Sequence, residues 1–92
     1  YALQHNYPNP FNPTTTLKYS LPVDSKVKLT IYNVLGEVVE VIVDEIETAG
    51  YRTTEWNAIS AASGVYFFRL DAVGVADPSK SFTQVKKMLL VR

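Results

Sequence analysis

The stretch that decides the fold reads Asn6-Tyr7-Pro8-Asn9-Pro10-Phe11-Asn12-Pro13-Thr14. Each of its three prolines restricts φ and removes a backbone donor, and each pushes the preceding residue away from helical geometry. The segment therefore forms neither a helix nor a central strand. Tyr7 and Phe11 are its large apolar side chains, and we expect both to anchor it. The sequence predicts a rigid clasp over residues 1–13, laid against a β-domain that begins at about Thr14.

Two segments after the clasp have the alternating pattern of strands with one face in water. They are residues 14–20 and 26–32, in which apolar side chains take every second position. The expected inward positions are Leu17, Tyr19, Val27, Leu29 and Ile31, and the outward ones include Lys18, Lys26, Lys28 and Thr30. The stretch Asn33-Val34-Leu35-Gly36 is typical of a turn in which the glycine has a positive φ.

The middle of the chain is rich first in valine and then in acidic residues. Residues 38–43 are mostly β-branched, which favours a strand over a helix. The pattern fits a strand covered on both faces, or an edge strand packed under the clasp. Residues 44–50 are interpreted as an acidic loop. Residues 51–57 alternate again, so we expect Trp56 in the core, with the stem of Arg52 at its rim.

The last third of the chain predicts two further strands, over residues 64–70 and 81–91. A polar surface loop, with room for one short helical turn, precedes the first of them, and a hairpin loop over residues 73–79 joins the two. Lys86-Lys87 interrupts the alternation of the last strand, so its phase stays open. The favoured inward positions are Tyr66, Phe68, Leu70, Met88 and Leu90.

Six or seven short strands separated by turns predict an all-β fold, an immunoglobulin-like β-sandwich of antiparallel strands. The sequence contains no cysteine, so this sandwich has no disulfide. A chain of 92 residues is long enough for one core. We expect a single domain, with the clasp at residues 1–13 and the β-sandwich over residues 14–92.

Composition argues against several classes of function. The formal net charge is zero, whereas nucleic-acid binding needs a basic face for the phosphates. No apolar run approaches the roughly 18–20 residues of a transmembrane helix. The chain starts at Tyr1 without a methionine or a signal peptide, and we expect it to be a piece of a longer protein.

No constellation of residues indicates catalysis or cofactor binding, and we expect a domain that is not an enzyme and holds no cofactor or metal. His5 is the single histidine, and Ser63 lacks the sequence frame of a nucleophile. The acidic residues after position 43 lack the ordered spacing of a dedicated calcium loop. Three aromatic residues, if outward, would form a platform for stacking sugar rings, although scattered surface aromatics are the simpler interpretation. They are Tyr32, Tyr51 and Phe67.

Motifs spread over nearly the whole chain closely resemble those of one family. They are the opening stretch with its threonines, Leu17-x-Tyr19-x-Leu21-Pro22, Val27-x-Leu29-x-Ile31-Tyr32-Asn33-x-x-Gly36, Ala49-Gly50-Tyr51, Trp56, Ser63-Gly64-Val65-Tyr66 and Lys87-Met88. The pattern resembles the C-terminal sorting domain (type A) of cargo proteins exported by the type IX secretion system of Bacteroidetes and their relatives. The immunoglobulin-like domain of flagellar hook-capping proteins is similar, but the short loop over residues 57–63 favours the sorting domain. The hairpin over residues 71–80 is longer than the family pattern, which leaves the strand pairing there open.

The resemblance implies a non-catalytic export signal behind an upstream cargo domain of the same chain. It implies outer-membrane secretion machinery as the partner, a secreted or cell-surface destination by way of the periplasm, and, in many members, cleavage by a sortase-like peptidase. The motif residues with an expected structural role are Tyr7, Pro8, Asn9, Pro10, Phe11, Asn12, Pro13, Gly36, Gly50, Trp56, Gly64 and Tyr66. The candidate recognition surface is the basic end of the chain, at Lys86, Lys87 and Arg92. A carbohydrate-binding module and a structural accessory domain of a secreted enzyme are the alternatives.

Overall fold

The alternating segments form strands in the computed structural model, which describes all residues 1–92 and contains strands and turns without a helix. The seven strands are β1 (Ala2–Leu3), β2 (Thr14–Leu21), β3 (Ser25–Tyr32), β4 (Val38–Glu47), β5 (Gly50–Asn57), β6 (Gly64–Gly74) and β7 (Ser81–Leu90). The predicted start at Thr14 holds for the first long strand. The lead-in nevertheless contains β1, a short strand that the proline content did not reveal.

The strands form two sheets, with the orders β1-β2-β5 and β4-β3-β6-β7, and every neighbouring pair is antiparallel. The chain changes sheets between β2 and β3, between β4 and β5, and again between β5 and β6. This three-plus-four arrangement confirms the predicted immunoglobulin-like sandwich. Its core lies between the two inner faces, as in other sandwiches.

The predicted inward side chains are confirmed as the core. The completely buried ones include Leu17, Val27, Leu29, Ile31, Phe68, Leu70 and Leu90. Thr30 is also buried, although alternation places it on the outer face of β3. It sits in a central strand between Val41 of β4 and Arg69 of β6, and these neighbours flank it on both sides.

The predictions for residues 38–50 need correction. β4 is an edge strand, but it is neither covered on both faces nor packed under the clasp: Val43 alone is buried, while Val38, Val39 and Val41 are exposed. Residues 44–47 continue this strand and do not form a loop. An exposed edge tolerates acidic side chains, and Asp44 lies opposite Lys28 of β3, where opposite charges favour the pairing.

The end of the chain forms one regular hairpin. Pairing of β6 with β7 runs without a shift from Gly64 opposite Leu90 to Val73 opposite Ser81. Lys86-Lys87 therefore causes no bulge, and Met88 and Leu90 face inward as predicted. β6 continues to Gly74 and β7 begins at Ser81, so the connecting loop covers residues 75–80 and not the predicted residues 73–79. The loop over residues 58–63 contains turns without a helical turn.

Tyr19 joins the two sheets through its hydroxyl group. The side chain belongs to the buried set of β2, and its hydroxyl donates a hydrogen bond to Oε1 of Glu47, the last residue of β4. Burial is the largest cause that raises the pKa of Tyr19 far above its ordinary value of 10.0, and the hydrogen bond and charge of Glu47 raise it further.

Alkaline pH is expected to weaken the fold through this residue. The raised pKa means that the folded state keeps the Tyr19 proton while the unfolded chain releases it near pH 10.0. The stabilisation is therefore present below that pH and is lost as the pH rises toward the folded pKa. Urea denaturation should show that the free energy of unfolding falls more between pH 8 and pH 11 for the parent than for Tyr19→Phe. Equal losses would contradict a protonated, desolvated hydroxyl.

Candidate recognition surface

The clasp first runs along β2, extending the three-stranded sheet. After β1, the Gln4 amide donates to the carbonyl oxygen of Lys18 at 3.0 Å. Tyr7 and Thr16 then exchange two backbone hydrogen bonds, of 3.1 and 2.8 Å. The lead-in is thus fixed by backbone pairing before the prolines remove further donors.

The clasp then crosses to the last strand of the other sheet. The Phe11 amide donates to the Leu89 carbonyl at 3.0 Å, and the Phe11 carbonyl accepts from the Val91 amide at 3.0 Å. The Asn9 side-chain oxygen accepts from the Leu89 amide at 3.0 Å. The clasp therefore bridges both sheets at one end of the sandwich, as its asparagine and aromatic content allows.

The two expected anchors behave differently. Phe11 is 2% exposed and belongs to the core, whereas the side chain of Tyr7 is 80% exposed. The prediction that Tyr7 anchors the clasp through its ring is therefore wrong. Its backbone pairs with Thr16, and its ring points away from the core into water. Asn6, which precedes it, occupies the inward position and is 3% exposed.

Asn6 supplies the polar part of the clasp interior. Its Nδ2 donates to Oγ1 of Thr15 at 3.0 Å and to the Pro8 carbonyl at 3.2 Å. Oγ1 of Thr15 donates to the same carbonyl at 2.8 Å. Buried polar groups need such partners, so this network fixes the path of the chain at Pro8. The peptide bonds before Pro8, Pro10 and Pro13 are cis.

An aromatic cluster lies beneath the clasp. The Trp56 ring of β5 is 5.7 Å from that of Phe11 and 5.3 Å from that of Tyr66 on β6. The second pair meets edge to face, an arrangement that aromatic rings favour. The Tyr66 hydroxyl donates to the Ala62 carbonyl at 2.6 Å. The cluster thus joins the clasp to both sheets and to the loop over residues 58–63.

Glycines of the motif occupy backbone positions that other residues rarely adopt. Gly36 has a φ of 79° in the turn after β3, where Oδ1 of Asn33 accepts the amides of Leu35 and Glu37. Gly64 starts β6 with a φ of 150°, and Gly50 starts β5 with a φ of 130°. These values agree with the predicted turn glycine and explain the motif at both strand starts.

The predicted basic residues do not form one flat patch. Consecutive side chains of β7 point to opposite faces, so the half-buried Lys86 shares the side of Met88 while the exposed Lys87 lies on the outer face. Lys87 and Asn9 line a shallow cavity of about 190 Å³ where the clasp meets β7.

Arg92 ties the chain end to the loop over residues 58–63. One guanidinium nitrogen donates to the carbonyls of Ala58 and Ala61, at 3.0 and 2.6 Å. Its amide donates to Oγ of Ser63 at 3.0 Å. The Ala58 amide in turn donates to the Pro13 carbonyl at 2.8 Å. The clasp, residues 58–63 and residues 87–92 thus meet at one end of the sandwich, and we call this region the composite end.

Other candidate sites separate in the fold. Tyr51 projects from the three-stranded sheet, whereas Tyr32 and Phe67 belong to the four-stranded sheet, so the predicted platform of three aromatics does not form. His5 is exposed. No group of three or more histidine, cysteine or acidic side chains converges as metal ligands would. The fold has no helix of the length and apolarity needed to cross a bilayer.

Comparison with solved structures finds the same fold in a secretion-system protein. The chain superposes with a TM-score of 0.60, at 20% identity, on PorZ, an essential bacterial surface component of the type IX secretion system of Porphyromonas gingivalis. The match covers 96% of this chain and only 11% of the PorZ chain. No curated protein sequence matches the chain significantly.

The opening motif, the turn glycines and the aromatic cluster all fall inside one sequence match. A family described as the secretion system C-terminal sorting domain matches residues 5–88 of the 92. This range includes the clasp from His5 onward and ends at Met88 in β7. The chain therefore belongs to the secretion system C-terminal sorting domain family.

Proposed function

We propose that this domain directs a cargo protein through the outer membrane by the type IX secretion system. The family match over residues 5–88 carries the proposal. The composite end supports the proposal, because the family's opening motif is hydrogen-bonded there to the last residues of the chain. An exporter that binds at the composite end would recognise the family motif and the folded state together, because the motif meets the chain end only in the folded domain.

The proposal includes a cargo domain upstream in the same chain, a route through the periplasm and a domain without its own reaction. It also includes a sortase-like peptidase that cuts before β1. Leu3 of β1 is buried in the core, and the clasp is bonded from Gln4 onward. A cut before β1 would therefore release the sandwich intact, whereas a cut inside the clasp would divide the core.

The exporter is proposed to read the outer side of the composite end. Lys87 is exposed there beside Asn9, and Leu89 is the exposed apolar neighbour of Lys87 on the same face. A positive charge beside an apolar side chain suits an acidic partner surface, since electrostatic complementarity guides recognition. Arg92 supports this surface by holding residues 58–63, and Lys86 flanks it from the opposite face of β7.

Export of a reporter tests the proposal. The 92-residue domain is fused behind a periplasm-directed reporter in a bacterium with the type IX system. Lys87→Glu is compared with Lys18→Glu, an equal charge reversal at an exposed lysine of β2 on the other sheet. Both should change stability by less than about 0.5 kcal/mol. We expect normal export of the parent and of Lys18→Glu, and reduced export of Lys87→Glu.

A third variant calibrates the assay. Leu90→Asp places a charge in the core and should abolish both folding and export. Periplasmic retention of the folded parent would refute the sorting function. Export of folded Lys87→Glu at the level of Lys18→Glu would refute the basic surface and leave the sorting function intact.

A further inference from the structure

The outer face of the four-stranded sheet brings Lys87 into one row with Tyr32 and Phe67, two of the three aromatics of the expected sugar platform. Tyr32 of β3 lies directly opposite Phe67 of β6, which lies directly opposite Lys87 of β7. Directly opposed side chains are neighbours about 5 Å apart at Cβ. Both aromatic rings are half-buried.

The next position of β6 on this face adds a fixed cation. Nε of Arg69 donates to Oδ1 of Asp71 at 3.1 Å, and Oδ1 also accepts from Oγ1 of Thr83 at 3.0 Å. Arg69 is thus oriented by Asp71, which is itself held from β7. This hydrogen bond is the main cause that raises the pKa of Arg69. Tyr32 is a further contact that raises the pKa of Arg69, and the side chain of Arg69 is 44% exposed.

Tyr32, Phe67 and Arg69 line a depression. Its volume is about 320 Å³, and its lining consists of Tyr32, Asn33, Val34, Gly36, Phe67, Arg69 and Val85. The turn after β3 forms one wall and the sheet forms the floor. An apolar and aromatic floor with a few polar groups is the usual composition of a small-ligand site. Gly36 keeps the wall low, since no side chain projects from it.

We propose that this depression binds an acidic sugar residue of a polysaccharide. A pyranose ring has a flat face of C–H groups, which packs on the electron-rich faces of Tyr32 and Phe67. A carboxylate on that sugar would meet the exposed guanidinium group of Arg69, and Lys87 lies opposite Phe67 on β7 as a second positive charge. Planar guanidinium groups suit carboxylates in particular. The side chain of Asn33 at the edge is bonded to Glu37 and to the turn backbone, so it fixes the wall of the depression.

The charge and shape of the site select this ligand class. A neutral sugar would use the aromatic floor but leave Arg69 unused, and an apolar ligand would bury the guanidinium beside it at a cost. A nucleic acid would need a broad basic surface, whereas this chain has equal numbers of acidic and basic residues. The proposal does not rest on the sorting function, because no residue of the clasp lines the depression.

Titration of the chain with tetragalacturonate tests the proposal, with its fully methyl-esterified form as the uncharged match. Binding is followed by amide chemical shifts in two-dimensional NMR. The expected result is saturable shifts at Tyr32, Gly36 and Phe67 with the acid form, and binding about ten-fold weaker with the ester. Added salt should weaken the acid form alone.

Variants locate the site. Arg69→Gln should weaken tetragalacturonate binding about ten-fold, to the level of the ester. Tyr32→Ala should weaken the binding of both ligands. Tyr51→Ala removes an aromatic side chain that is 89% exposed on the other sheet. This substitution should change the affinity for neither ligand.

Three outcomes would overturn the proposal: no saturable binding by the folded parent, equal binding of acid and ester, or an unchanged affinity in folded Arg69→Gln. The export assay remains separate, because Arg69→Gln is expected to export normally.

Discussion

Replacing Trp56 by alanine is expected to lower the free energy of unfolding by about 3–5 kcal/mol. The ring is 2% exposed and contacts Phe11 and Tyr66, so its removal leaves a cavity at the point where the clasp meets both sheets. A domain of this size has a total stability of roughly 5–14 kcal/mol. The loss is therefore a large share of the total stability of the domain.

Chemical denaturation of Trp56→Ala measures this loss, and Tyr51→Ala is the matched control. Tyr51 lies in the same strand, but its side chain is 89% exposed. Its removal should change stability by less than about 0.5 kcal/mol. A similarly small loss for Trp56→Ala would show that the inner face of β5 carries no core.

Phe11→Ala is expected to cost about 3–4 kcal/mol. Phe11 is the buried aromatic side chain of the clasp, and its backbone bonds to Leu89 and Val91 depend on its position. Without the ring, the crossing segment should detach from β7 while the sandwich keeps its sheets. Far-ultraviolet circular dichroism should therefore remain close to that of the parent.

Tyr7→Ala separates the two aromatics of the clasp. Its ring is 80% exposed, so the loss should stay within about 0.5 kcal/mol. Hydrogen exchange adds a local measurement: the Val91 amide, which donates to Phe11, should exchange faster in Phe11→Ala but not in Tyr7→Ala. Equal effects of the two substitutions would contradict an anchor formed by Phe11 alone.

The edge strand β4 shows that a sequence pattern can predict a strand without predicting its burial. Its valines indicated a strand, and the strand exists, but they also indicated coverage that it lacks. Coverage depends on which elements lie beside a strand, and a run of β-branched residues is compatible with a core or an edge. The acidic residues 44–47 were assigned to a loop for the same reason, because a charged edge strand and a solvated loop have similar compositions.

The candidate site was predicted in its parts and not in its arrangement. The opening motif and Lys87 were recognised, but the bonds from Phe11 and Asn9 to residues 89–91 connect positions about 80 apart in sequence. Arg92 was assigned to recognition by its charge and by its place at the end of the domain, which the family resemblance makes important. The structure places its guanidinium on two loop carbonyls, a contact that no local pattern encodes.

The sequence by itself determined the long strands apart from the second half of β4, most of their inner faces, the turn glycine Gly36 and the family, because alternation and turn chemistry are local and short-range. It therefore placed Trp56, Met88 and Leu90 correctly. Only the tertiary structure decided that Tyr7 is exposed, that β7 pairs without a bulge at Lys86-Lys87, and that the clasp closes on the last strand. These properties follow from long-range strand pairing, which assigns each side chain its neighbours only after both sheets have formed.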